Sequence, residues 1–258
     1  MSETPGMQGP TSGAEPAGRS EIRMPDTPRA GDTRVAERQD VRMDTGAGWT
    51  PGQPGFPTTS GQSAAVTPTA GIADPGPLGL AGFAMTTFLL SVFNANIISD
   101  ARLEAVVLPL ALFYGGLAQL LAGMWEFRKG NTFGATAFAS FGAFWLSYAA
   151  YVKFVVPDLP PATEYKATGL FLLAWAIFTA YMTLASMRVS GAVMMVFVTL
   201  TVTFILLTIG ALGQHPNMTK AGGIAGLVTA GFAWYASFAA VTNDTWKRTL
   251  LPTFPARR

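Results

Sequence analysis

The sequence predicts an all-α membrane protein with six transmembrane helices per subunit. Three observations predict it. Six apolar stretches follow one another through the last two-thirds of the chain, and none contains an Asp, Glu, Lys or Arg. Each is roughly 20–25 residues, the length a helix needs to cross about 30 Å of hydrocarbon. Only 12% of the 258 residues are charged while 50% are hydrophobic; a soluble domain holds about 25% charged.

The first stretch, Gly76–Ser99, opens on Asp74-Pro75-Gly76-Pro77-Leu78-Gly79-Leu80. Proline suits the first turn of a helix, where its missing N–H is not needed. Asp74 is placed to cap that turn. Alternatively, the free N–H groups and the helix dipole face an anion there. The second stretch, Ala105–Trp125, carries Gly115, Gln119 and Gly123 at four-residue spacing and runs into the charged cluster Glu126, Arg128 and Lys129. The third, Asn131–Val152, carries Gly134, Phe138 and Gly142. Pro157, Pro160 and Pro161 break helix in the connection Lys153–Lys166. The fourth, fifth and sixth stretches are Ala167–Met187, Val189–Gln214 and Ala221–Asn243, the last with Gly222, Gly226 and Ala230 on one face. Small residues at this spacing let helix backbones approach closely in lipid. They predict either tight packing within one bundle or contact between subunits.

Residues 1–72 are expected to form a disordered cytoplasmic tail. They are rich in Gly, Pro, Ser, Thr and charge, and cannot bury enough apolar surface to offset ordering entropy. No apolar run near Met1 reads as a cleavable signal, so the first span is the expected targeting signal. Residues 73–246 form the six-helix domain and 247–258 a short cytoplasmic tail. Arg128, Lys129, Arg188, Lys247, Arg248, Arg257 and Arg258 fall on the side of the N-terminus, against Arg102, Lys153, Lys166 and Lys220 opposite. This bias predicts both termini in the cytoplasm of a plasma (inner) membrane.

Composition also excludes function classes. A net charge of +2 gives no footprint for nucleic acid, and the absence of Cys removes thiolate metal sites and Cys nucleophiles. The spans hold no paired carboxylates, no Ser–His pair and no metal cluster, so neither an enzyme nor a cofactor nor a metal is expected. A retinal protein is disfavoured because no Lys lies inside a span. The polar groups left are amides and hydroxyls. A Thr such as Thr86 or Thr87 usually bonds the carbonyl one turn back. Gln119 differs, because an unpaired amide in mid-membrane costs kcal/mol; it needs a neighbouring helix or a polar substrate. With no buried relay, either a weak acid crosses carrying its own proton, or an anion crosses a channel gated by a dewetting constriction.

Several blocks together resemble one family. Asp74-Pro75-Gly76-Pro77-Leu78-Gly79-Leu80 resembles the Asn-Pro-Ala-Pro-Leu-Gly-Leu signature of the acetate uptake transporters (GPR1/FUN34/YaaH, SatP-like). Gly82-Phe83-Ala84-Met85-Thr86-Thr87, Phe113-Tyr114-Gly115-Gly116-Leu117-Ala118-Gln119, Gly123 through Gly134, Phe144-Trp145-Leu146 and Arg248 through Pro252 fit as well, so the resemblance spans about residues 73–252. Asp74 and Gly76 depart from the signature. The resemblance implies a homo-hexamer in the bilayer that carries acetate and, in some members, succinate, with or without protons. It implies a substrate pathway past Asp74, Pro75, Pro77, Leu78, Gly79, Thr86, Thr87 and Gln119, and a hydrophobic constriction at Phe83, Phe141 and Leu200. Glu126 and Asn131 then stand at the cytoplasmic edge. Many relatives carry Tyr where Phe141 stands, so this constriction is drier. The competing expectation is a non-transporting sensor or assembly protein whose tail binds a cytoplasmic partner.

Overall fold

The computed structural model describes residues 71–256. The expected disordered tail lies outside the described residues, apart from its last two positions. Six long helices are each apolar enough to cross a membrane: α1 (Gly76–Asn94), α2 (Leu103–Lys129), α3 (Thr132–Asp158), α4 (Glu164–Ser186), α5 (Gly191–Leu212) and α6 (Pro216–Thr245). Among the described residues there is no strand, only one isolated bridge between Ser190 and Pro255.

The helix ends follow local chemistry rather than the edges of the apolar stretches. α1 stops at Asn94, short of the expected Ser99, because Asn96 adopts a left-handed φ of 56° and the Ile97 N–H turns back to the Val92 carbonyl. α2 and α3 run beyond their charge-free cores and take in Glu104, Glu126 and Lys153. They meet at Gly130, whose φ of 78° closes α2; the Gly134 N–H then donates to Asn131 Oδ1 (3.1 Å), which caps α3. Within α2, Phe113–Ala118 widens into a π-turn that shifts the face carried by the rest of the helix.

Packing runs round the bundle in the order α3, α2, α1, α6, α5, α4. These seams are made by glycine. A Cβ on Gly142 would stand 2.5 Å from the Leu120 nitrogen, one on Gly82 would stand 2.7 Å from the Tyr114 carbonyl oxygen, and one on Gly222 would stand 2.7 Å from Leu207. Gly115, Gly123, Gly134, Gly142, Gly222, Gly226 and Ala230 are all buried within this one chain. The small-residue faces are therefore used inside the bundle, and the reading of them as a subunit contact does not hold.

The α3–α4 seam is different. There the backbones stand apart and aromatic rings fill the space. Phe141 meets Phe178 at 5.4 Å between centroids, Phe144 meets Trp175 at 5.0 Å, and Tyr151 stacks on Phe171 at 5.5 Å. The outer faces of the helices stay apolar, with Leu170, Ile177 and Leu184 on α4 all more than half exposed, as lipid contact requires.

Residues 247–256, expected as a short tail, fold back over the end of the bundle as a strap. Asn243 Oδ1 accepts from the Leu250 N–H (2.7 Å) and the Leu251 N–H (3.0 Å), and its Nδ2 donates to the Leu251 carbonyl (2.8 Å). Tyr235 donates to the Pro252 carbonyl (2.7 Å). The Gly191 N–H donates to the Phe254 carbonyl (2.7 Å), so the strap satisfies a donor that the start of α5 would leave free.

Candidate functional site: two cavities and a dry neck

Two cavities open between the helices. The proximal one, at the end where α1 begins, measures about 230 Å³. The distal one measures about 1190 Å³. Phe83 of α1 and Leu200 of α5 line both, with Phe141 of α3 beside them on the proximal side. All three are at most 4% exposed, and the Phe83 and Phe141 rings meet edge to face at 5.6 Å. None has a polar side-chain atom. The cavities are thus separated by an apolar neck.

Each candidate residue has a definite place. At the proximal mouth, Asp74 Oδ1 accepts from the Gly76 N–H (2.9 Å) and pairs with Lys129 Nζ (2.7 Å). The start of α1 is therefore capped by its own chain. Pro77 and Asn131 line the proximal cavity, and the Pro77 carbonyl accepts from Ser237 of α6 (2.7 Å). Gln119 lies deeper in it, 1% exposed. Thr87 lines the distal cavity. Pro75, Leu78, Gly79 and Thr86 line neither. Pro75 is buried at the helix start, Leu78 faces outward at 45% exposure, and Gly79 packs under the Phe138 ring. Thr86 donates to the Gly82 carbonyl (2.9 Å), the habit of a membrane threonine. Glu126 is buried, 1% exposed, in the last turn of α2. Its carboxylate lies against Gly76 and Gly134, in the first turns of α1 and α3.

Among the described residues four buried side-chain polar atoms lack a hydrogen-bond partner: Thr87 Oγ1, Gln119 Oε1, Glu126 Oε2 and Trp145 Nε1. All four residues line a cavity, Gln119 and Glu126 the proximal and Thr87 and Trp145 the distal. Buried polar groups are ordinarily satisfied, because an unmade bond costs about 1–3 kcal/mol. Thr87 follows Phe83 by one helical turn, and Trp145 follows Phe141 by one turn, so donors stand directly beyond the neck. Trp145, Glu104 and Tyr148 were missed by sequence reasoning. Tyr148 donates to Glu104 Oε1 at 3.4 Å in the distal wall. Their signal was weak: an acid just outside a charge-free stretch, and a Trp beside a motif Phe.

The pattern of the GPR1/FUN34/yaaH family matches residues 56–257. This chain belongs to that family. It is 38% identical to the succinate-acetate/proton symporter SatP of Escherichia coli K12 over 181 residues, which cover 70% of this chain and 95% of SatP. It is 41% identical over 196 residues to the ammonia transport outward protein 2 of Saccharomyces cerevisiae, covering 73% of this chain and 68% of the yeast protein. The solved structure of the bacterial acetate channel SatP superposes with a TM-score of 0.66 at 37% identity, covering 71% of this chain and 99% of that one. The family and the six-helix membrane fold stand as the sequence predicts.

Proposed function

We propose that this protein moves acetate and related short carboxylates, succinate included, across a membrane through the two cavities and the neck between them. One observation carries the reading. Every partnerless buried polar atom among the described residues belongs to a cavity-lining residue, while the neck itself has none. Such atoms offer exchangeable hydrogen bonds to a small polar solute on either side of a step that strips its water. The names of the Escherichia coli relative and of the solved structure support acetate as cargo.

Asp74, Pro77, Gln119, Glu126 and Asn131 then line the proximal entry, Thr87 the distal one, and Phe83, Phe141 and Leu200 the constriction. Pro75, Leu78, Gly79 and Thr86 support that pathway from behind. The proximal end faces the cytoplasm, with both chain termini there, following the distribution of Lys and Arg. The protein works in the plasma membrane as a homo-hexamer, one pathway per subunit, without enzymatic activity.

Uptake of labelled acetate into vesicles holding the purified protein tests the transport reading. Uptake above that of protein-free vesicles supports it; equal uptake leaves the sensor or assembly reading. The name of the yeast relative favours ammonia as a second cargo, which a neck without charge would also pass. Ammonium-driven pH change in the same vesicles tests that.

A further inference from the structure

Glycine seams fix the backbones that carry the neck: α1 meets α2 at Gly82, α3 meets α2 at Gly142, and α5 meets α6 at Gly222. The Phe141 ring is held in addition by other rings. It meets Phe83, Phe144, Trp175, Phe178 and Phe197. Phe83, Phe144 and Phe197 border the cavities and so stand on the pathway side. Trp175 and Phe178 of α4 border neither cavity. They stand behind the ring, 5.9 Å and 5.4 Å from it between centroids. Resting on the transport reading, we infer that Trp175 and Phe178 are positioning residues for selectivity: they hold Phe141 across the neck and so set the largest acid that passes.

The α3 and α4 backbones stand apart, so side chains alone back the Phe141 ring. Behind Phe178 comes Tyr181, 5.2 Å away between centroids and 53% exposed on the outer face of α4. On this side two rings separate Phe141 from the surface of the bundle. With its backbone fixed, a phenyl ring leaves a constriction by turning into another staggered well, and only where there is room. A close-packed interior denies that room, and here Trp175 and Phe178 are what fill it. Phe141 has no polar atom through which a hydrogen bond could anchor it, so contact alone keeps it in the neck. The back of the ring is therefore as important to the width of the neck as its front. Acetate ends in a single methyl group, whereas lactate carries a further carbon and a hydroxyl. The ratio of their rates reads that width.

The test uses the full chain in vesicles, with initial uptake of labelled acetate and labelled lactate measured side by side. Protein-free vesicles supply the baseline. The readout is the ratio of lactate to acetate uptake, which a loss of folded protein does not change. Phe178→Ala and Trp175→Ala are each expected to raise the ratio about fivefold, equal to about 1 kcal/mol between the two barriers. In a Phe141→Ala background, Phe178→Ala is expected to add nothing, because the ring it positions is gone. Ile177→Ala, on the exposed outer face of the same helix, is expected to keep the wild-type ratio. A residue whose Ala variant leaves the ratio unchanged loses its role, and an unchanged ratio in both overturns the inference. A full further rise in the double variant, or an equal rise in Ile177→Ala, also overturns it. If a truncation to Ala fails to fold, Phe178→Leu and Trp175→Phe decide by the same ratio, a rise supporting the role and an unchanged value overturning it. Wild-type vesicles that take up no more acetate than protein-free ones overturn the transport reading itself. Wild-type uptake with a ratio indifferent to Trp175 and Phe178 overturns only their positioning role.

Discussion

The two cavities share a neck and the same balance of charges, yet the distal one is several times larger, about 1190 Å³ against about 230 Å³. The difference lies in what closes each wall. α4 lines only the distal cavity, held off α3 by stacked rings such as Tyr151 on Phe171. On the proximal side its place is taken by the strap, with Thr253 in the wall beside Val189 and Ser190. Aromatic spacers keep one wall wide, and a backbone-bonded strap draws the other in. The neck belongs to neither wall. Changes there should act on both cavities, while changes in a wall should act on one.

The largest effect is therefore expected at the neck. Phe141→Ala and Leu200→Ala remove side chains that are 3% exposed, so each should cost about 2–5 kcal/mol of stability. Each should also join the cavities, raise acetate flux by about tenfold, and admit lactate as well as more succinate. Initial uptake of the three labelled acids at matched folded protein checks this. Unchanged rate and range would mean that the rings are packing alone.

The strap comes next. Asn243→Ala removes three hydrogen bonds to Leu250 and Leu251 at a cost of about 1 kcal/mol each. The expected result is a lower melting temperature, earlier proteolysis after Trp246 and a wider proximal mouth, with the distal cavity unaltered. Limited proteolysis and thermal unfolding in detergent measure it. A strap as resistant as wild type would break the view that it forms the proximal wall.

Gln119→Leu acts on the proximal cavity only. It removes a partnerless amide oxygen in a residue 1% exposed, so stability should hold or rise slightly. Acetate flux should fall roughly threefold, for the loss of one hydrogen bond worth about 0.5–1.5 kcal/mol, with no change in the range of acids carried. A variant that slows acetate and admits larger acids as well would place Gln119 in the constriction instead.

The fold was legible because hydrophobic length in a bilayer is dictated by thickness alone, and six stretches of that length leave little choice. Their ends were less legible. Asn96 halts α1 by a left-handed turn inside an apolar run, and Glu104 and Glu126 extend α2 past its charge-free core. Of the site, Gln119 was legible because an amide in mid-membrane must be explained. Trp145 was not, since an indole in a membrane helix usually sits where its N–H finds a partner. The strap left no periodic signal either. It is held by backbone groups of Thr253 and Phe254 and by two left-handed residues, Lys247 and Phe254, which hydropathy does not register.

The smallest expected effect separates two adjacent residues. Thr86 and Thr87 have the same side chain on the same helix, 0% and 5% exposed. Thr86 donates to the Gly82 carbonyl and packs against Gly115, away from both cavities. Thr87 has a partnerless hydroxyl and lines the distal cavity one turn beyond Phe83. Valine keeps the shape and removes the hydroxyl in each case. Thr86→Val loses a made bond, so it should cost about 0.5–1.5 kcal/mol and leave transport alone. Thr87→Val loses no bond within the protein and relieves a buried unsatisfied group, so stability should be unchanged or slightly higher. Its acetate flux should nonetheless fall about twofold, because a donor beyond the neck is gone. Thermal unfolding and acetate uptake on the pair read the two quantities separately, and the pattern requires lost stability in Thr86→Val alone and lost flux in Thr87→Val alone. If both variants lose stability and neither loses flux, Thr87 is scaffold like its neighbour, and the distal cavity takes up its solute through other groups.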